Sequence, residues 1–151
     1  SALRETKLFR GGIADSDDVS DLKLQTWTYF QGLSGEEKTD FTQNYKQNGL
    51  DVRNTQISYY EDGPDAGTAL DRAISAGADA ALRQTKLFRG GASGSDDVSS
   101  LKIQSVTYFQ GVVNEEKTDF VQNFKANGTR IRTGCGASCS PCCIAWARRW
   151  G

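Results

Sequence analysis

The sequence predicts an α+β fold: two tandem copies of a β-β-α-β unit with a mostly antiparallel sheet, joined by an Ala-rich amphipathic helix. Three observations predict it. Laying Leu3–Arg53 over Leu82–Arg132, an offset of 79, gives 34 identities in 51 positions without a gap. Within each copy, aromatic and β-branched runs are followed by a stretch whose apolar residues recur at helical spacing. The residues from Asn54 to Ala81 have no counterpart after the second copy. Elements that mix without strict βαβ alternation belong to an α+β layer rather than a doubly wound sheet. A period of 79 is too long for a solenoid, so the copies are two units or two halves of one sheet. The organisation read from this is copy one over 1–53, a returning strand and linker helix over 54–81, copy two over 82–133, and a Cys-rich tail over 134–151.

Each element has its own signal. Lys7–Arg10 and Lys86–Arg89 are short strands stopped by Gly11-Gly12 and Gly90-Gly91. The run from Leu22 to Phe30 is rich in β-branched and aromatic residues and reads as a strand, with Leu22, Leu24, Thr26, Thr28 and Phe30 on one face. Ser34 offers an N-cap, Glu36 and Glu37 fill a first turn, Phe41 and Tyr45 stand four apart, and Gly49 marks a stop, which together predict a short helix. Its twin runs from Asn114 through Phe120 and Phe124 to Gly128. The chain returns as a strand over Val52–Tyr60, and over Arg130–Thr133 in copy two. Between the copies, Pro64 presets a helix start, and Ala66, Ala69, Leu70, Ala73, Ile74, Gly77, Ala78 and Ala81 fall on one helical stripe.

Composition closes many function classes. The 151 residues contain no His, which excludes Ser-His-Asp and Cys-His nucleophiles, imidazole bases and His-ligated metals. With 18 Lys+Arg against 19 Asp+Glu, the net charge of −1 argues against nucleic acid as a partner. No apolar run is long enough for a membrane span. There is no Met, so the chain starts at a processed or trimmed end. With its clustered cysteines this predicts a secreted protein or one of an organelle lumen.

The densest local signal is Cys135, Cys139, Cys142 and Cys143, all beyond the matched part of copy two. In an oxidising compartment they make two disulfides, with vicinal Cys142 and Cys143 taking different partners. No cofactor is predicted, but thiolates so close together also suit zinc, an iron–sulfur cluster or a thioether-linked chromophore. Cys139 and Cys142 have the C-x2-C spacing of a redox pair. The tail ends with Trp146, Arg148, Arg149 and Trp150, the residue types of interface hot spots. Trp27 and Tyr29, opposite the Leu22/Leu24 face, and Tyr108 in copy two are the other candidate partner-binding aromatics. The Asp-rich stretch from Asp15 to Asp21 lacks the central Gly and twelfth-position Glu of a calcium loop and reads as a solvated turn. Arg10-Gly11-Gly12 and Asn127-Gly128-Thr129 read as turns as well.

The strand, Glu-Glu helix, Gly stop and returning strand of Val106–Ile131 are similar in pattern to the small β-α-β domains of light-harvesting linker proteins, although such linkers are usually basic. The function expected from all this is a non-enzymatic interaction or assembly module that bridges or caps protein subunits. The other readings are a secreted, disulfide-stapled effector, toxin or small-ligand binder, a Cys-based redox protein, and a linker of the light-harvesting type. The cysteine reading is checked by intact mass: four alkyl groups are expected to add only after reduction, and addition without reduction or a mass excess contradicts two disulfides.

Overall fold

The computed structural model describes residues 1–61 and 70–127. They form one eight-stranded sheet and, among the described residues, no helix. The strands are β1 (Glu5–Arg10), β2 (Lys23–Gln31), β3 (Lys38–Tyr45), β4 (Val52–Glu61), β5 (Leu70–Asp71), β6 (Leu82–Arg89), β7 (Ile103–Gln110) and β8 (Lys117–Asn123). Their order is β1-β2-β3-β4-β6-β7-β8, with β5 beside the end of β4, and all pairs are antiparallel. The two copies therefore share one sheet, fused where β4 of copy one pairs with β6 of copy two from Asn54↔Arg89 to Tyr60↔Leu82.

The predicted α+β class is corrected to an all-strand sheet. The helix expected between Ser34 and Gly49 is instead the β2–β3 turn followed by β3. Phe41 and Tyr45 share a face at spacing four, but four is also twice the strand period, and Gln43 between them is buried on that same side. Glu37 caps a turn rather than a helix: it accepts from the Leu3 amide at 3.0 Å and the Gly35 amide at 3.0 Å. In copy two the helix expected from Asn114 is replaced by the β7–β8 turn and β8, which removes the element behind the similarity to light-harvesting linker domains, while Gly128 and the strand expected over Arg130–Thr133 lie outside the described residues. The linker helix is corrected too. Leu70 and Asp71 form β5, and turns follow, closed by the Ser75 and Ala76 amides on Arg72 O and the Ala80 amide on Gly77 O. Ala73, Ala80 and Ala81 are buried while Ile74 is exposed, so the small residues do not share one helical stripe. Pro64, Ala66 and Ala69 lie outside the described residues.

Alternation along the strands sorts the side chains into two faces. One carries Trp27, Tyr29, Phe41, Gln43, Thr55, Ile57, Val106, Tyr108, Phe120 and Gln122, as the register shows. The other carries hydroxyls and amides, among them Thr28 and Thr42 and a ladder in which Thr26 donates to Asn44 (3.1 Å) and Asn44 to Asn54 (2.8 Å). The core lies mostly in copy one, where Phe41, Tyr45, Val52 and Ile57 are buried, and Val106 is its buried member in copy two. Near the end of β4, Tyr60 packs on Ala73 and Ala80, and its hydroxyl donates to Thr39 O (2.8 Å). Burial pushes the Tyr60 phenol up to about 12.

The duplication repeats down to single hydrogen bonds. Arg4 Nη1 donates to Gly32 O as Arg83 Nη1 does to Gly111 O. Arg10 reaches Tyr45 O as Arg89 reaches Phe124 O. The Leu3 amide meets Glu37 as the Leu82 amide meets Glu116. Ile57 on the shared strand is fully buried whereas Leu50 in the β3–β4 turn is exposed. Ile57→Ala is expected to cost ~3 kcal/mol in urea unfolding and Leu50→Ala less than about 0.5 kcal/mol.

Candidate interaction surface

The copies are held together by a loop of copy two lying on the aromatic face of copy one. After β6, Gly90 and Gly91 adopt positive φ (77° and 136°), and the chain turns over β3 and β4. A Cβ on Gly91 would collide with Thr55 Oγ1, whereas one on Gly90 would meet nothing within 4 Å. The loop ends on the Gln43 side chain, which is 0% exposed. Gln43 Nε2 donates to Ala92 O (2.8 Å) and Ser95 O (3.0 Å), and its Oε1 accepts from the Gly94 amide (2.8 Å). Beside it the Tyr45 and Ser93 hydroxyls share a hydrogen bond of 2.8 Å, and Thr55 donates to Gly90 O (2.9 Å). Arg72 adds an ion pair to Asp40 (2.8 Å) and another to Asp96 (3.0 Å).

Three of the partner-binding aromatics expected from sequence sit on this face. Trp27 stacks on Tyr29 with centroids 4.8 Å apart, and Tyr29 stacks on Phe41 at 4.1 Å. In copy two, Tyr108 stacks on Phe120 at 4.2 Å. The Trp27–Tyr29 stack runs along β2, whereas Tyr29–Phe41 and Tyr108–Phe120 join neighbouring strands, and such cross-strand pairs stabilise a sheet beyond the area they bury. All three aromatics are half-buried rather than presented to solvent. Trp27 is closed from outside by Lys7, whose ammonium lies 4.0 Å from the ring centroid, while the indole N–H donates to Glu5 (2.8 Å). Burial pushes the Tyr29 phenol up, with nearby Tyr45 and Glu5 acting in the same direction, so the ring stays neutral.

The other candidates, Trp146, Arg148, Arg149 and Trp150, and the four cysteines, Cys135, Cys139, Cys142 and Cys143, lie outside the described residues. The acidic stretch is a turn: Asp18 accepts from the Ser20 hydroxyl (2.7 Å) and amide (3.0 Å), and Asp97 and Ser99 repeat both bonds. The hydroxyl bond, then the amide, holds each carboxyl below its ordinary value. Among the described residues no helix is long and apolar enough to cross a membrane.

Sequence reasoning missed Gln43, because a single Gln between two aromatics is legible neither as core nor as ligand. That β1 and β8 end the sheet among the described residues is also a finding of the structure. Against protein-family models, curated proteins and solved structures, the chain finds no match.

Gln43→Ala leaves two loop carbonyls and one amide without their partner, so a loss of ~3 kcal/mol is expected in urea unfolding. Gly91→Ala is expected to destabilise by at least ~1 kcal/mol more than Gly90→Ala, since both need positive φ but only Gly91 lies against Thr55.

Proposed function

We propose that this chain is a non-enzymatic interaction module that joins protein subunits through the two ends of its sheet. One observation carries the reading. β6 and β3 each use their outer edge to bind β4, while their repeat twins β1 and β8 are the terminal strands among the described residues. Thr6–Arg10 of β1 is identical to Thr85–Arg89 of β6, and β8 keeps Lys117-Thr-Asp-Phe and Gln122-Asn123 of β3. Edges built from the same residues as pairing edges offer the same row of backbone donors and acceptors. Each terminal strand also exposes an apolar side chain, Leu8 at 55% and Val121 at 45%.

The missing His supports a non-enzymatic role, because it leaves the duplicated body without an imidazole base. The reading is tested by native mass spectrometry of the protein isolated from its source, with cross-links mapped by peptide. Complexes heavier than one chain, with cross-links concentrated on β1 and β8, are expected. A lone chain at every concentration overturns it.

A further inference from the structure

The contact that fastens copy two to copy one sets a loop on a β3 surface, flanked by Thr55 of β4, and the chain carries a second loop and a second such surface. The first half is the loop after β6, Gly90–Ser95. The second is the β3 surface bearing Gln43 and Tyr45. Their repeat twins are the loop from Gly11 to Ser16 after β1 and the β8 end bearing Gln122 and Phe124.

The spare loop is already shaped for the contact. Gly11, Gly12 and Asp15 have φ of 77°, 132° and 63°, against 77°, 136° and 78° for Gly90, Gly91 and Gly94. The Ser16 amide bonds to Ile13 O (3.2 Å) as the Ser95 amide does to Ala92 O (3.0 Å). A non-Gly residue is held at positive φ here although every residue from Gly11 to Ser20 is exposed. Ile13, the twin of Ala92, is 80% exposed.

The spare surface is open in the matching places. Gln43 and Tyr45 are buried, but Gln122 and Phe124 are only half-buried. The Gln122 Oε1 accepts from Tyr108 Oη at 3.4 Å, and among the described residues no loop atom bonds its amide. Arg10 Nε, at the root of the spare loop, is buried without a hydrogen-bond partner among the described residues.

The two halves have also changed together. Tyr45 and Ser93 share a hydroxyl bond in the closed contact. Their twins are Phe124 and Ala14, so both hydroxyls are gone, one from each half. Losing one alone would leave the other buried and unpaired, whereas losing both keeps the fit.

We propose that Gly11–Ser16 of one molecule docks on the Gln122/Phe124 surface of a second copy, with the Gln122 amide taking Ile13 O, Ser16 O and the Asp15 amide. Among the described residues nothing covers either half, and β1 and β8 stand at opposite ends of the strand order, so the mate is another molecule. One loop and one surface per chain make the contact head-to-tail, which closes as a ring or continues as a filament. This inference rests on the interaction-module reading and names its partner.

The test uses the full chain in analytical ultracentrifugation. The wild type is expected to assemble with concentration. Phe124→Tyr alone and Ala14→Ser alone are each expected to weaken assembly about tenfold, and the two combined to restore it. Ile13→Asp, which removes the loop, and Gln122→Lys, which removes the surface, are each expected to be monomeric and to form a dimer when mixed. Purified chain that stays monomeric, or singles and double that assemble alike, or variants that form no dimer when mixed while both retain the wild-type β-sheet circular dichroism, overturns the proposal. Complexes with other proteins in source material, beside a monomeric purified chain, overturn the self-docking but leave the interaction-module reading standing.

Discussion

Everything in copy one is arranged around a buried primary amide. Gln43 sits where a strand pattern calls for an apolar side chain, and an amide there is costly unless its donors and acceptor are met. The loop after β6 meets them with two carbonyls and one amide, across sequence separations of 49 to 52 residues. The pairing of β6 with β4 delivers the loop to them, because the loop starts at the last residue of β6. One polar group thus couples sheet register, loop conformation and the sealing of Phe41, Tyr45 and Val52. It also specifies the partner: an apolar residue at 43 would accept any apolar cover, whereas the amide accepts only this arrangement of backbone groups.

The sharing of β4 follows from size. A copy of about 50 residues buries too little surface to stand alone, and an isolated hairpin is marginal. Pairing β4 on both sides turns two marginal meanders into one sheet with a continuous aromatic face. The segment from Leu70 to Ala81 then acts as a cover at the far end of β4. Its alanines pack on Tyr60 and Ala80 O accepts from Lys38 at 2.9 Å.

The duplication and the strands at β1, β2, β4, β6 and β7 are legible from sequence because their signals are redundant: ungapped identity, Gly-Gly stops and runs of Thr, Tyr and Phe. β3 and β8 are not. Phe41 and Tyr45 fit both periods, and Glu-Glu after Ser34 imitates a helix start when it is in fact a turn whose Glu37 binds the chain's N-terminal segment. The linker misleads for another reason, since alanine favours helix locally but here serves as a small residue beneath Tyr60, where tertiary packing overrides propensity. The aromatics of the site were identifiable by type; their stacking on Phe41 and Phe120 was not, because it depends on the β2–β3 and β7–β8 registers. The signal that locates the Gln43 contact is the pairwise change of Tyr45/Ser93 to Phe124/Ala14, which becomes visible only once the structure shows that the first pair touches.

Two further differences between the copies follow from what surrounds them in the sheet. Glu5 and Trp27 lie at the β1 end, where Lys7 is held between a carboxylate (3.6 Å) and an indole face (4.0 Å). Their twins are Gln84 and Val106, on interior strands where Lys86 instead lies 4.9 Å from the Tyr59 ring of β4. A carboxylate on β6 would lie against the half-buried Tyr59 of its neighbour, and an indole on β7 would have to enter a site where Val106 is only 4% exposed. Neutral Gln is what the interior strand β6 tolerates, and small Val is what the packed site on β7 admits. Charge is what an edge strand tolerates, and charged edges resist indiscriminate strand pairing. The β1 edge therefore combines the backbone of a pairing strand with side chains that bar unselective partners, so that recognition must come from outside the ladder itself. The preformed loop from Gly11 to Ser16, at the end of that same strand, supplies such a feature.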